Sequence, residues 1–263
     1  RISLAGDWKY RIGLSLTGFP PAPISPVQSS SYPTVLFNAM VKPWTAFPIK
    51  GVIWYQGEAN VGRSEQYGDL FPALITDWRR QWRSDFPFYF VQLANFMESK
   101  KIQPDSEWAA LREAQTKALK LDQVGMAVTI DIGLADDIHP KNKQEVGRRL
   151  ALVALAGSYG KNVSSSAPVF QNYIIKGNKM ELDFGQKQDG FQIKGTTLKG
   201  FIIAGPDRVF YPAEAMVHDG KIILSSTEVP APLAARYGWA DNPDCNLYGE
   251  NGLPVAPFRT DCW

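Results

Sequence analysis

The amino-acid sequence predicts an α/β fold in which a mainly parallel sheet lies between helices and an antiparallel β region follows. The chain has 263 residues, of which 44% are hydrophobic and 21% charged. These values are ordinary for a globular protein, and a chain of this length buries a full hydrophobic core. Strand-like and helix-like segments alternate between residues 34 and 161, which favours right-handed βαβ units. After Lys161 the apolar segments are short and separated by Gly, Asp and Asn, which favours antiparallel pairing.

These changes in texture divide the chain into three parts. Residues 1–33 are rich in Gly, Pro and Ser, with one strand-like segment at 8–11 and a proline-rich stretch at 19–26 that predicts a linker. Residues 34–161 form the predicted α/β portion. Residues 162–263 form the predicted antiparallel β region, which ends in an irregular tail.

Within the α/β portion, short apolar and β-branched runs predict four buried strands, at residues 35–37, 51–55, 88–93 and 124–132. Three helices are predicted between or after them. The first covers 64–83, where apolar residues recur at helical spacing, and the second covers 106–119, with Ser106 as its N-cap. The third covers 140–159, begun by Pro140 and ended by Gly160.

Charge and composition exclude several classes of partner and cofactor. The 28 basic and 26 acidic residues leave a net charge of +2, which gives no reason to expect nucleic acid or an anionic membrane surface. The longest apolar run, at 150–156, is far shorter than the roughly 20 residues of a membrane-spanning helix. Two histidines with no cysteine near them make a poor metal site. Cys245 and Cys262 either form a disulfide or remain free thiols.

His139 is the first candidate for chemistry. It follows a predicted buried strand and precedes a predicted helix, and active sites of open α/β sheets lie at that edge. Asp136, three residues earlier, is placed to accept a hydrogen bond from Nδ1–H, which leaves Nε2 as a general base. Asp137 is the rival carboxylate, although its closeness in sequence makes the contact harder. The alternative is that Asp136 caps a helix and His139 fills a turn. His218 precedes an Asp-Gly hairpin signal, which predicts an exposed strand end.

A second polar block follows the predicted strand at 51–55. Gln56 can donate its amide N–H₂ to a developing oxyanion, and Gly57 permits close backbone approach. Glu58 and Asn60 are candidates for binding substrate hydroxyls. The alternative is a tight turn in which Glu58 forms a structural ion pair with Arg63 or Arg112.

Segments 51–60 and 136–143 resemble the sialate O-acetylesterase family, a carbohydrate-esterase branch of the SGNH hydrolases. Further matching segments lie at 36–40, 111–115, 236–241 and 252–261. The resemblance implies a flavodoxin-like three-layer α/β/α hydrolase with accessory β regions. It also implies that Asp136 and His139 complete a Ser-His-Asp triad and that Gln56 helps to form the oxyanion hole. Asn38 and Arg112, from the further segments, join Gly57, Glu58 and Asn60 as candidate oxyanion or substrate-binding residues.

One departure from the family pattern concerns the nucleophile. The family's Gly-Gln-Ser-Asn block is absent from the sequence, and neither Ser15 nor Ser64 fits it. We therefore expect this chain to be the C-terminal portion of a longer serine esterase. Alone it should be inactive, and its expected partner is the missing N-terminal part of the same protein. The expected substrate is an O-acetylated sugar, foremost a sialic acid, and no metal or cofactor is expected. The resemblance favours a secreted, periplasmic or lysosomal location.

Three other functions remain open. An acetylxylan-type or other sugar O-acetylesterase would use the same groups. A glycoside hydrolase would pair Glu58 with Asp131 or Asp136 and leave His139 without a task. A non-catalytic sugar-binding protein is favoured by the 12% aromatic content and by the absent nucleophile block.

Overall fold

The computed structural model of the chain describes residues 32–185 and 190–263. The chain divides into two compact units, Arg1–Phe47 and Pro48–Trp263. The predicted strand at 8–11 and the proline-rich stretch at 19–26 lie outside the described residues.

In the first unit, the described residues are helical. A π-helical turn covers Phe37–Val41 and a 3₁₀ turn covers Lys42–Trp44. The strand predicted at 35–37 is therefore wrong, because three apolar residues are too few for periodicity to distinguish a strand from a helix. Asn38 is exposed here, and its Nδ2 donates to Thr34 Oγ1 at 3.3 Å.

The second unit begins with a parallel three-stranded sheet of order β1-β2-β3. Its strands are β1 (Val52–Trp54), β2 (Phe88–Val91) and β3 (Val124–Ala127). The helices are α1 (Ser64–Trp82), α2 (Glu107–Thr116), which a 3₁₀ turn at Lys117–Lys120 follows, and α3 (Lys143–Gly157). The predicted alternation of strands and helices is confirmed.

The sheet lies between two helical layers. Phe88 and Phe90 face a buried cluster with residues of α1 and α2, whereas Tyr89 and Val91 face Val153 and its neighbours on α3. β2 is buried on both faces, as its continuous apolar sequence requires of a central parallel strand. The predicted α/β/α layering is thus present around β2.

Local signals explain where two of the helices begin. Ser106 caps α2 as predicted, because its Oγ accepts from Ala109 N at 3.0 Å. α3 begins at Lys143 rather than at Pro140, because Asn142 is its cap: Asn142 Oδ1 accepts from Glu145 N at 3.1 Å. Pro140 instead lies within the loop that carries His139.

The region after residue 161 is antiparallel, as predicted. Its sheets have the orders β4-β5-β10-β9, β13-β11-β7-β8 and β12-β6. The strands are β4 (Asn172–Lys176), β5 (Lys179–Asp183), β6 (Phe191–Ile193), β7 (Phe201–Ala204), β8 (Phe210–Pro212), β9 (Glu214–His218), β10 (Lys221–Ser225), β11 (Ala234–Tyr237), β12 (Leu247–Gly249) and β13 (Phe258–Arg259). One large apolar cluster, which includes Leu182, Ile203 and Tyr237, forms their core.

The β9–β10 hairpin confirms the prediction for His218. Asp219 and Gly220 turn the chain with φ angles of 48° and 72°, the left-handed pair of a type I′ turn. His218 ends β9 with an exposed ring.

Both cysteines are free thiols in the structure. Burial raises the pKa of the Cys245 thiol to about 12, which makes it unreactive at neutral pH. Within 32–185 and 190–263, no helix combines the length and apolar character needed to cross a membrane.

Candidate active site

The two polar blocks singled out in the sequence line one cavity of about 350 Å³. One wall is the segment after β1, and the other is the loop between β3 and α3. The lining residues are Tyr55, Gln56, Glu58, Ala59, Ile138, His139, Pro140 and Lys143. Both walls follow parallel strands, so the cavity lies at the carboxyl edge of the sheet.

His139 stands at the mouth of this cavity with a side chain that is 84% exposed. Its backbone N–H donates to Asp137 Oδ1 at 2.9 Å, and its Nδ1 lies 3.6 Å from the same oxygen. The first contact is the turn that an aspartate makes with the N–H two residues on. The second is beyond the hydrogen-bond range. The structure therefore places the Asp137 carboxylate near the ring but without a hydrogen bond to it.

Asp136 is exposed and has neither a hydrogen bond nor an ion pair to another described residue. Its assignment as the carboxylate that orients His139 stays a prediction.

Gln56 is held by three neighbours, one of which is Gln115, whose Nε2 donates to the Gln56 backbone carbonyl at 3.3 Å. Its Nε2 donates to Asn60 Oδ1 at 2.7 Å, and the Tyr67 hydroxyl donates to its carbonyl and to its Oε1, both at 3.3 Å. The next residue, Gly57, is buried, and a Cβ there would lie 3.1 Å from Gln115 Nε2. Sequence reasoning missed Tyr67 because it lies in the apolar stripe of α1, although a buried tyrosine hydroxyl calls for a polar partner.

Charged groups of both signs line the cavity. Glu58 forms no salt bridge with any described residue, so the structural ion pair with Arg63 or Arg112 is not formed; Arg63 donates to Ala59 O at 2.9 Å instead. Lys143 Nζ lies 4.6 Å from the centroid of the Tyr55 ring. Burial, aided by the negative charge of Glu58, raises the pKa of Tyr55 to about 12. Sequence reasoning missed Lys143 as a cavity residue, because the helix was predicted to start at Pro140, whereas it starts at Lys143.

The structure does not support Arg112 as an oxyanion or substrate-binding residue. It is fully buried, and its guanidinium donates to the carbonyl oxygens of four residues. These are Leu93 at 2.9 Å, Ala94 at 2.9 Å, Ala240 at 2.7 Å and Asp241 at 2.8 Å. Burial lowers the pKa of Arg112 to about 9, so it remains a cation at neutral pH. A side chain enclosed in this way cannot contact a substrate.

Asp131 does not line the cavity. Its two oxygens accept from Arg149 at 2.6 and 2.9 Å, and Oδ2 also accepts from the Tyr248 hydroxyl at 3.2 Å. Because Asp131 is engaged by these two residues outside the cavity, it cannot serve with Glu58 as the pair of catalytic carboxylates of a glycoside hydrolase. Across the described ranges, no three His, Cys, Asp or Glu side chains come together in a group that would hold a metal ion.

Comparison with known proteins gives a consistent result. A family profile described as "Carbohydrate esterase, sialic acid-specific acetylesterase" matches residues 23–156. Sialate O-acetylesterase of Pongo abelii is 32% identical over 95% of this chain and 54% of its own length, and that of Homo sapiens is 31% identical with the same shares. The chain spans about half the length of the curated relatives it matches.

A solved structure agrees with these matches. The crystal structure of a carbohydrate acetylesterase from Xanthomonas citri has a TM-score of 0.83 and 46% sequence identity. The match covers 88% of this chain and 55% of that chain.

Proposed function

The chain belongs to the sialic acid-specific acetylesterase family of carbohydrate esterases, and we propose that it forms part of a serine esterase that removes O-acetyl groups from sugars, foremost sialic acids. The observation that carries this proposal is that His139 and Gln56, from the two family motifs, line the same cavity. The Xanthomonas citri protein is a carbohydrate acetylesterase, which favours acetylated xylan or another acetylated sugar as the second candidate substrate.

In the proposed reaction, His139 Nε2 takes the proton of a serine hydroxyl whose oxygen attacks the acetyl carbonyl. The tetrahedral intermediate breaks its bond to the sugar oxygen, which takes the proton from His139 and leaves as a hydroxyl. Water then attacks the acetyl-enzyme with His139 as the base, and acetate and the free serine are released. Gln56 donates to the oxyanion. Its amide has two N–H groups, of which Asn60 takes one, so the second is available.

We propose Asp136 as the carboxylate that orients His139, because no described residue forms a hydrogen bond or an ion pair with it. Asp137 already accepts the His139 N–H, which holds its carboxylate 3.6 Å from Nδ1. A carboxylate that fixes a histidine tautomer needs a hydrogen bond of ordinary length to Nδ1–H.

We propose that the serine comes from outside these 263 residues, which contain no Gly-Gln-Ser-Asn block. The exposure of β1 supports this. Ile53 is 70% exposed on the face that α3 covers elsewhere, and β2 is the one strand paired with β1 among the described strands. The apolar sequence of β1 is typical of a strand buried on both faces. A further parallel strand would pair with the free edge of β1, and the helix of its crossover connection would pack on the face from which Ile53 projects.

The test compares two proteins: the 263-residue chain and the product of the complete coding sequence. Acetate release is measured from O-acetylated sialic acid, from acetylated xylo-oligosaccharides and from p-nitrophenyl acetate, with an unacetylated glycoside as control. We expect turnover of acetylated substrates by the complete product alone, together with a covalent serine adduct outside the 263 residues. Cleavage of the unacetylated glycoside, or a serine adduct within the chain, would contradict the proposal. Binding of acetylated sugar without any turnover would favour a non-catalytic protein.

A further inference from the structure

Beyond the cavity, one buried polar cluster joins three separate elements of the fold. Asp131 lies just after β3, Arg149 lies on α3 and Tyr248 lies on β12 of the C-terminal region. We call these three side chains the Asp131 clamp. The side chains of Asp131 and Arg149 are 12% and 5% exposed, and Tyr248 is buried.

The Asp131 carboxylate accepts three hydrogen bonds within the clamp. Arg149 donates two nearly parallel hydrogen bonds to Asp131, and the same guanidinium donates to Val128 O at 2.7 Å. The Tyr248 hydroxyl donates to Asp131 Oδ2 at 3.2 Å, and Lys194 Nζ lies 3.6 Å from the Tyr248 ring centroid. Bidentate arginine–carboxylate pairs fix direction as well as distance. The clamp therefore holds the end of the strand, the helix and the β region in one arrangement.

The position of the clamp in the sequence gives it a consequence for the site. The loop that carries His139 runs from residue 128 to residue 142; Asp131 lies near its start, and Arg149 lies in the second turn of the helix that follows. The pair thus ties the start of the loop to the helix after it, and the exposed His139 lies between the two. Two further bonds brace the loop from the side: Gly133 N donates to Asn95 Oδ1 at 2.7 Å and Met97 N donates to Ala135 O at 3.1 Å.

We propose that Asp131, Arg149 and Tyr248 are positioning residues for His139, and that the C-terminal β region acts on the site through the Tyr248 hydroxyl. None of the three lines the cavity, so none touches the substrate. They act by limiting the conformations of the loop, because a base is effective only when held in reach of the proton it takes. The meaning of this proposal for catalysis rests on the proposed function.

The experiment follows the loop directly and requires no activity. The isotope-labelled 263-residue chain is compared by NMR with Tyr248→Phe, Asp131→Asn and Tyr173→Phe. The last is a matched control on β4, where the hydroxyl has no hydrogen bond to a described residue. The readouts are the amide exchange rates of Gly133 and His139 and the imidazole signals of His139. Because the chain has 2 histidines, His218 serves as the internal reference.

In Tyr248→Phe we expect exchange at Gly133 and His139 to accelerate about fivefold, the factor that one hydrogen bond of ordinary net strength supplies. Asp131→Asn should accelerate it more, because it also weakens two charge-assisted bonds. The His139 ring signals should shift or broaden in both variants, whereas His218 and the Tyr173→Phe control should match the wild type.

Two outcomes would overturn the proposal. One is an unchanged His139 in both variants. The other is an equal acceleration of amides throughout the chain, which would indicate a purely structural role. Neither outcome bears on whether the complete protein is an esterase, because no substrate is present.

Discussion

The cavity residues of the α/β portion and the Arg236–Asp261 pair of the C-terminal region differ in their exposure to solvent. In the α/β portion, the groups assigned to chemistry are accessible: the His139 side chain is 84% exposed, and Gln56 and Glu58 line an open cavity. In the C-terminal region the ion pair of Arg236 and Asp261 is enclosed, since the two side chains are 4% and 0% exposed. A charged residue whose hydrogen-bond donors are occupied by other groups of the protein has a structural role, even where it belongs to a family motif.

The same contrast shows how the two regions depend on each other. Arg112 of α2 donates to the carbonyls of Ala240 and Asp241, and Arg259 of β13 donates to both oxygens of Glu113 at 2.9 and 2.8 Å. These contacts, which are buried at Arg112 and partly exposed at Arg259, join the C-terminal residues to α2. The C-terminal region thus supports the α/β portion rather than standing apart from it.

The largest effect on activity is expected from His139, the accessible residue proposed as the catalytic base. In the protein from the complete coding sequence, His139→Ala should lower kcat by about 10⁴–10⁶, the range seen when the histidine of a triad is removed. The free energy of unfolding should hardly change, because an exposed side chain makes few contacts. His218→Ala is the matched control and should keep full activity. A His139→Ala enzyme with normal kcat at saturating substrate would remove the proposed base.

The choice between two neighbouring carboxylates comes next. Asp136→Asn should lower kcat by about 10⁴ with little change in KM, because loss of the orienting carboxylate leaves the wrong tautomer of His139. Asp137→Asn should be milder, since an asparagine oxygen can still accept the His139 N–H. Both variants should unfold at the wild-type denaturant concentration. If Asp137→Asn is the crippled variant, the contact seen in the structure is the catalytic one and Asp136 has been wrongly chosen.

Arg112 tests the scaffolding side of the comparison. Arg112→Met should lower the free energy of unfolding by about 3–5 kcal/mol, because it leaves buried carbonyls without donors. Arg80→Met, an exposed arginine on α1 paired with Asp77, should cost less than about 0.5 kcal/mol. Urea unfolding of the 263-residue chain measures both. A loss below about 1 kcal/mol for Arg112→Met would show that the four carbonyls find water instead.

Sequence reasoning succeeded where a local signal decides the structure. The Ser106 cap and the Asp219-Gly220 hairpin each follow from a side chain or backbone preference within a few residues. It failed where partners are distant in sequence. The burial of Arg112 depends on carbonyls 128 and 129 residues away, and no local pattern encodes them. The strand predicted at 35–37 failed for the same reason, since a short apolar run becomes a strand only where a neighbour pairs with it.

The smallest effect is expected at the start of α3, where the charged side chains are less exposed than His139 but less buried than Arg112. Glu145 accepts hydrogen bonds from Arg148 and Arg149 at 2.7–2.8 Å. These bonds, Arg148 first, lower the pKa of Glu145 from 4.5 to about 2. Because the unfolded chain then binds the proton more readily, the stabilisation is complete above pH 4.5 and disappears as the pH falls towards 2. The Arg148 side chain is 48% exposed, and solvent screening limits the gain to about 1 kcal/mol.

Urea unfolding of the wild type and Glu145→Gln at several pH values between 7 and 2 measures this contribution. The difference in the free energy of unfolding should be about 1 kcal/mol near neutral pH and should shrink steadily below pH 4.5. Glu214→Gln is the control from the C-terminal region, an exposed residue of β9 with no salt bridge to a described residue, and should match the wild type near neutral pH. A Glu145→Gln difference that stays constant down to low pH would mean that the glutamate contributes packing, and that the ion pairs of α3 add nothing to its stability.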